Sequence, residues 1–192
     1  MEEAMRVRTA GMPTSLAGET VLCIGARLGG EVRAFKSLGA LGIGIDLNPG
    51  SGSLDVVAGD MEDVPFPPRT FSFVYTNVLD HVYRVDGLVA EVCRVLRPSG
   101  LLLAAVVGGG ALDKYSPSGA ISEKNLDVLK NSVTRVGLKH VQTTVTHDTM
   151  WHTGLNKDGR PRRPWRQNIL TLYFRRPAPA TFACSVLDSH RG

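Results

Sequence analysis

VLCIGARLGG (residues 21–30) and GIGID (residues 42–46) are the two stretches whose reading decides the fold. The first is a short apolar run that breaks into a glycine turn. A helical segment follows from Gly30 to Leu38 and stops at Gly39, where a residue without a Cβ can take a left-handed cap. The second stretch is again apolar and ends in a carboxylate, Asp46, 21 positions after Gly25. Strand, glycine turn, helix and acid-terminated strand form a nucleotide-binding half-fold, in which backbone approaches the ligand and the acid takes the ribose hydroxyls. The turn reads G-x-x-x-G-G and lacks the G-x-G-x-x-G spacing of dinucleotide enzymes, so the ligand has to be read from the rest of the chain.

Outward from this unit, strand and helix patterns keep alternating, as in an α/β sheet with parallel strands and crossover helices. The second strand, residues 41–46, reads as buried on both faces. LDVVA (54–58) is the third strand, and the proline-bearing link VPFPP separates it from a fourth, FSFVYTN (71–77). Between Asp86 and Arg97 the residues Leu88, Val89, Val92, Val95 and Leu96 recur at helical spacing, with Pro98 and Gly100 as stop signals. LLLAAVV (101–107) has the near-continuous apolar character of a central parallel strand. Ser122 is the N-cap of a helix carrying Leu126, Leu129, Val133 and Val136 on one stripe, and two strands follow at about 141–149 and 168–175.

The chain's 192 residues, 43% of them hydrophobic, suffice for one substantial core. The expected division is an N-terminal extension over 1–18, one domain over 19–177 and a tail over 178–192. There is no apolar run of membrane-spanning length and no secretory leader pattern, so a cytoplasmic protein without membrane association is expected. Cys23, Cys93 and Cys184 are an odd, widely spaced set that suits neither a disulfide framework nor a zinc knuckle; a reducing compartment and no metal site follow. Net charge is +4, but residues 151–176 hold seven Lys and Arg against Asp158 alone, so the remaining chain is slightly acidic. One anion-facing patch is implied, and a generally basic, nucleic-acid-coating surface is excluded.

VLCIGARLGG, GIGIDLNPG, AGDMEDVPFPPRTFSFVYTN and VAEVCRVLRPSGLLL occur in the order seen in class I S-adenosylmethionine-dependent methyltransferases, and over roughly residues 20–107 the chain resembles the small-molecule branch of that family. The resemblance implies a Rossmann-like, seven-stranded, mostly parallel sheet with an antiparallel last strand and helices on both faces. It also implies S-adenosyl-L-methionine as cofactor. Gly25, Ala26, Arg27 and Gly29 would lie against its methionyl part, and Asp46 would accept from the ribose hydroxyls. Leu47 would pack on the adenine, whose edge Asp60 and the Met61 backbone would meet. Asn77 would sit beside the transferred methyl.

This chain departs from the family's pattern at Cys23, where the family usually carries an acid that helps hold the cofactor's ammonium group. It departs again at Arg27, which replaces a glycine.

A general base for the acceptor would come from NVLDHVYRVD, where Asp80 and His81 follow the fourth strand; histidine is the better-suited residue type for proton transfer near neutral pH. In the implied topology the turn between strands six and seven opens over the ligand-binding edge. Trp151, His152, Arg163 and Trp165 would then line the acceptor site, arginine gripping an anion and tryptophan stacking on a ring. A small-molecule acceptor, anionic or aromatic and methylated on oxygen or nitrogen, is the expected partner. RNA is a weaker alternative, because arginine with interleaved tryptophan also suits single strands. A non-catalytic binding protein of the same fold, using residues 151–166 to hold a partner, is the competing reading.

Overall fold

The computed structural model describes residues 15–52, 54–108, 112, 116–150 and 165–178, with the backbone alone described for 148–150 and 165–167. Within them, seven strands form one sheet: β1 (Thr20–Ile24), β2 (Leu41–Asp46), β3 (Val56–Ala58), β4 (Phe71–Thr76), β5 (Leu96–Val107), β6 (Lys139–Met150) and β7 (Trp165–Arg175). Their order is β3-β2-β1-β4-β5-β7-β6. Strands β1 to β5 pair in parallel, and β7 inserts antiparallel between β5 and β6. The chain order reverses between β1 and β4, which makes the crevice above their carboxyl ends a topological switch point.

Helix α1 (Gly30–Ser37) buries Val32 and Phe35, while α2 (Val85–Val95) and α3 (Leu126–Arg135) bury Leu88, Val89, Val92, Leu129 and Val133. The two sheet faces accordingly carry separate apolar clusters. One joins Leu22, Ile24, Val74 and Leu102 to α2 and α3; the other joins Val21, Cys23, Tyr75 and Leu103 to α1. This division is the period-2 alternation of strands buried on both faces. Ser122 caps the turn before α3 in a capping box with Asn125.

Three expectations are corrected in detail. β2 is not buried throughout: Leu41, at its amino end just past the Gly39 turn, is 66% exposed. Its inner face is carried by glycine, since a Cβ on Gly44 would come within 2.6 Å of Ala26 Cβ and 3.0 Å of Val32. β3 is shorter than the apolar run predicts, because as an edge strand it pairs only with Gly44, Ile45 and Asp46; Leu54 projects into solvent. Strand β5 begins directly at the end of α2, and residues 97–100 bulge where the β4 pairing shifts between Phe71 and Phe73.

The proline-bearing link is fastened to α2 by charge. Buried Glu91 accepts the Val64 N–H at 2.8 Å and pairs with Arg94, whose guanidinium also donates to the carbonyls of Val64 and Phe66 at 2.7 Å each. The hydrogen bond to Glu91 pushes the Arg94 guanidinium up from its ordinary value. Glu62 accepts from the Arg84 backbone and side chain at the entry to α2. These contacts explain why a polar pattern accompanies the apolar one in the segment from Asp60 to Gly100.

Cys93 is disulfide-bonded, and its partner lies outside the described residues. Cys93 is thus not a free thiol, whereas Cys23 is. Among the described residues no helix is long and apolar enough to cross a membrane.

Candidate cofactor site

Gly25, the first residue after β1, turns the chain at φ +76°, and its N–H and that of Ala26 both donate to the Ile45 carbonyl, at 2.9 and 3.1 Å. The turn is thereby tied to β2. A Cβ on Gly25 would come within 2.3 Å of Val78 Cγ2, so glycine is favoured both by conformation and by the second residue past β4. Positive φ recurs at Arg27 (29°) and Gly29 (69°). Arg27 thus holds a backbone conformation that glycine adopts freely, and the loop keeps its path despite the larger side chain.

Asp46 closes this loop from the neighbouring strand. Its Oδ2 accepts the Arg27 N–H at 3.1 Å and its Oδ1 accepts the Asn48 N–H at 2.8 Å. Each carboxylate oxygen has two lone pairs, so both keep acceptor capacity toward a diol beyond these amide bonds. The Gly50 N–H donates to the Arg27 carbonyl at 2.9 Å, which ties the loop to the β2–β3 connection.

Leu47, beside Asp46, is 69% exposed and offers an apolar surface at the edge. Asp60, two residues past β3, accepts the Glu62 N–H at 2.8 Å in a local turn, while Met61 packs half-buried against the core. Asn77, directly after β4, donates its Nδ2 to Glu31 Oε1 at 3.1 Å. Gly25, Ala26, Arg27, Gly29, Asp46, Leu47, Asp60, Met61 and Asn77 therefore all fall at the carboxyl edge of the adjacent strands β3, β2, β1 and β4.

Asp80 and His81 lie on a single 3₁₀ turn, Leu79–His81, with His81 Nε2 3.7 Å from Asp80 Oδ2 and both side chains about half exposed. The segment before α3 docks on this turn: the Ile121 N–H donates to the Leu79 carbonyl at 2.8 Å. Trp151, His152 and Arg163 lie outside the described residues; Trp165 is placed by its backbone, opposite Met150 at the start of β7. The β6–β7 pairing runs on past Val107, the end of β5, toward the carboxyl edge of the parallel strands.

An adenosyl group with a methionyl tail fits the adenosine half of this edge: a carboxylate with acceptor capacity to spare, an exposed leucine beside it and a backbone turn without side-chain bulk at Gly25. The tail end differs. Cys23 is fully buried, and burial, then the nearby Glu31 charge, pushes its thiol well up, so it stays neutral and supplies no anion. The acid at this end is Glu31, in the first turn of α1, which the sequence pattern alone does not single out. Its cue is tertiary, the bond to Asn77 46 residues away.

Residues 22–104 match the family model described as a methyltransferase domain. Over 101 residues the chain is 36% identical to a fatty-acid O-methyltransferase of Mycolicibacterium smegmatis, covering 45% of this chain and 36% of that one. Over 118 residues it is 30% identical to the malonyl-[acyl-carrier protein] O-methyltransferase of Serratia marcescens, covering 56% and 46%. The matched stretches span less than half the length of these relatives. In fold it is similar to the Haemonchus contortus phosphoethanolamine N-methyltransferase 2 solved with S-adenosyl-L-methionine. That match has a TM-score of 0.63 at 16% identity and covers 92% of this chain and 52% of that one. Residues 22–104 are thus similar to a methyltransferase domain, and the sheet has the Rossmann-like fold of the class I S-adenosylmethionine-dependent methyltransferases.

Proposed function

We propose that the protein is an S-adenosylmethionine-dependent methyltransferase acting on an oxygen, or a nitrogen, of a small acceptor that is anionic or aromatic. The observation that carries the reading is the Asp46 carboxylate, placed by β2 at the switch point and locked to the Arg27 and Asn48 amides with acceptor capacity remaining. The bound cofactor would supply a methyl group made electrophilic by its sulfonium. The chain's part is alignment: Asp46 and Leu47 fix the adenosine, and the Gly25–Gly29 backbone approaches the tail. Arg27 is exposed beside that tail and can meet its carboxylate. Asp80 and His81 stand on the acceptor side, where an imidazole can take a proton from a hydroxyl or amine. The oxygen target is favoured by the two relatives named as O-methyltransferases.

The competing reading, a methyltransferase-fold protein that binds without transfer, is favoured by the neutral Cys23 at the tail end. Incubation with methyl-labelled S-adenosylmethionine and hydroxyl-, carboxyl- and amine-bearing small molecules separates the two. Label transfer with release of S-adenosylhomocysteine is expected. Cofactor binding without transfer to any acceptor would favour the second reading.

A further inference from the structure

The tail of the cofactor carries an ammonium group, and a cation held in a partly desolvated crevice needs an anionic acceptor nearby. Near the end of β1, two residues before the Gly25 turn, stands Cys23, which is fully buried in the apolar cluster on the α1 side and neutral. Glu31, in the first turn of the helix that follows β1, is a carboxylate tied by Asn77 to the end of the adjacent strand β4. The helix dipole stabilises an anion in that first turn, and Asn77 holds Glu31 Oε1 at 3.1 Å. The carboxylate is thus positioned from both sides of the β1–β4 crevice. Beside it, a Cβ on Gly30 would meet nothing within 4 Å, so the loop-to-helix junction is open.

We propose that Glu31, positioned by Asn77, is the carboxylate that receives the ammonium group of the cofactor's methionyl tail, taking the role that an acid on β1 would otherwise fill. The anion has moved from strand to helix while still overlooking the same strand end. This inference rests on the cofactor reading above and names the group that completes its tail site. It also accounts for a thiol at position 23: a second carboxylate there would stand against Glu31 in a buried setting, where like charges repel.

The test is calorimetric titration of the full chain and of Glu31→Gln with two ligands. S-adenosylhomocysteine carries the tail; 5′-methylthioadenosine keeps the adenosine and sulfur but lacks both ammonium and carboxylate. Glutamine retains an oxygen for Asn77, so the local structure is preserved and only the charge is lost. The expected result is a loss of about 10- to 150-fold in affinity for S-adenosylhomocysteine, with 5′-methylthioadenosine affinity unchanged. Equal affinity of the variant and the wild-type protein for S-adenosylhomocysteine would overturn the assignment of Glu31 and leave the cofactor site intact. An equal loss for both ligands would also overturn it, since the effect would not be at the tail. If the wild-type chain bound neither ligand, the cofactor reading itself would fall, and Glu31's role with it.

Discussion

Arg27 and Asp46 are joined by a single hydrogen bond, from the Arg27 backbone N–H to Asp46 Oδ2 at 3.1 Å, across 19 residues of sequence. The bond links the first loop to the end of β2 and holds an arginine at φ 29°. A non-glycine residue in this region costs about 1–3 kcal/mol, and glycine's own entropy cost offsets about 0.5–1 kcal/mol of that. Arg27→Gly is therefore expected to leave folding stability unchanged or raise it by about 1 kcal/mol in urea denaturation. A clear loss would mean that the Arg27 side chain, and not the backbone path, stabilises the loop.

Glu91 is 5% exposed and its carboxylate serves both Arg94 and the Val64 amide. Glu91→Ala leaves a partly buried guanidinium and a backbone N–H without this acceptor, a change that costs about 3–5 kcal/mol in comparable buried pairs. The urea midpoint should fall accordingly. A shift under about 1 kcal/mol would show that the pair behaves as a surface ion pair.

Burial raises the Cys23 thiol well above its ordinary 9.0. The folded state then holds this proton more tightly than the unfolded chain, so its contribution is constant below about pH 9 and is lost as pH rises from there toward the higher folded value. Replacing Cys23 by Ala should flatten the alkaline decline of stability by one proton's worth, measured as the difference between the two proteins from pH 8 to 10.5. Parallel curves would contradict the assignment. By the same burial, Cys23 should resist thiol reagents at neutral pH until the protein unfolds.

Asp80 and His81 stand together on an exposed turn, which the proposed function puts on the acceptor side. If an acceptor proton leaves through the imidazole, His81→Gln lowers kcat by about 10²–10⁴-fold without changing S-adenosylhomocysteine affinity. An unchanged kcat would assign the pair to the wall of the acceptor site.

Where the pattern is local, the sequence was readable. The apolar runs of β1, β4 and β5, the stripes of α2 and α3, the Gly25 turn and the Asp46 terminus are each carried by residues within one element, and the structure places them accordingly. What was missed depends on contacts between distant elements. β3 is cut short because only Gly44 to Asp46 are available to pair with it. Leu41 is exposed although its neighbours Ile43 and Ile45 are more covered, a difference of position that hydropathy does not register. Glu31 reads as an ordinary first-turn acid until Asn77 is brought to it by β4. Asp46 was legible as the acid that ends β2, but not as the clasp of the first loop. Trp151, His152 and Arg163, read as acceptor contacts, lie outside the described residues.

The central claim is that the carboxyl edge of β1, β2 and β4 binds the adenosyl cofactor through Asp46. Calorimetric titration of the wild-type chain and Asp46→Ala with S-adenosylhomocysteine tests it most directly. The account predicts saturable one-to-one binding by the wild-type protein and loss of most of that affinity in the variant, about tenfold or more. No detectable wild-type binding at millimolar ligand would contradict the claim, as would a variant that binds as tightly as the wild type.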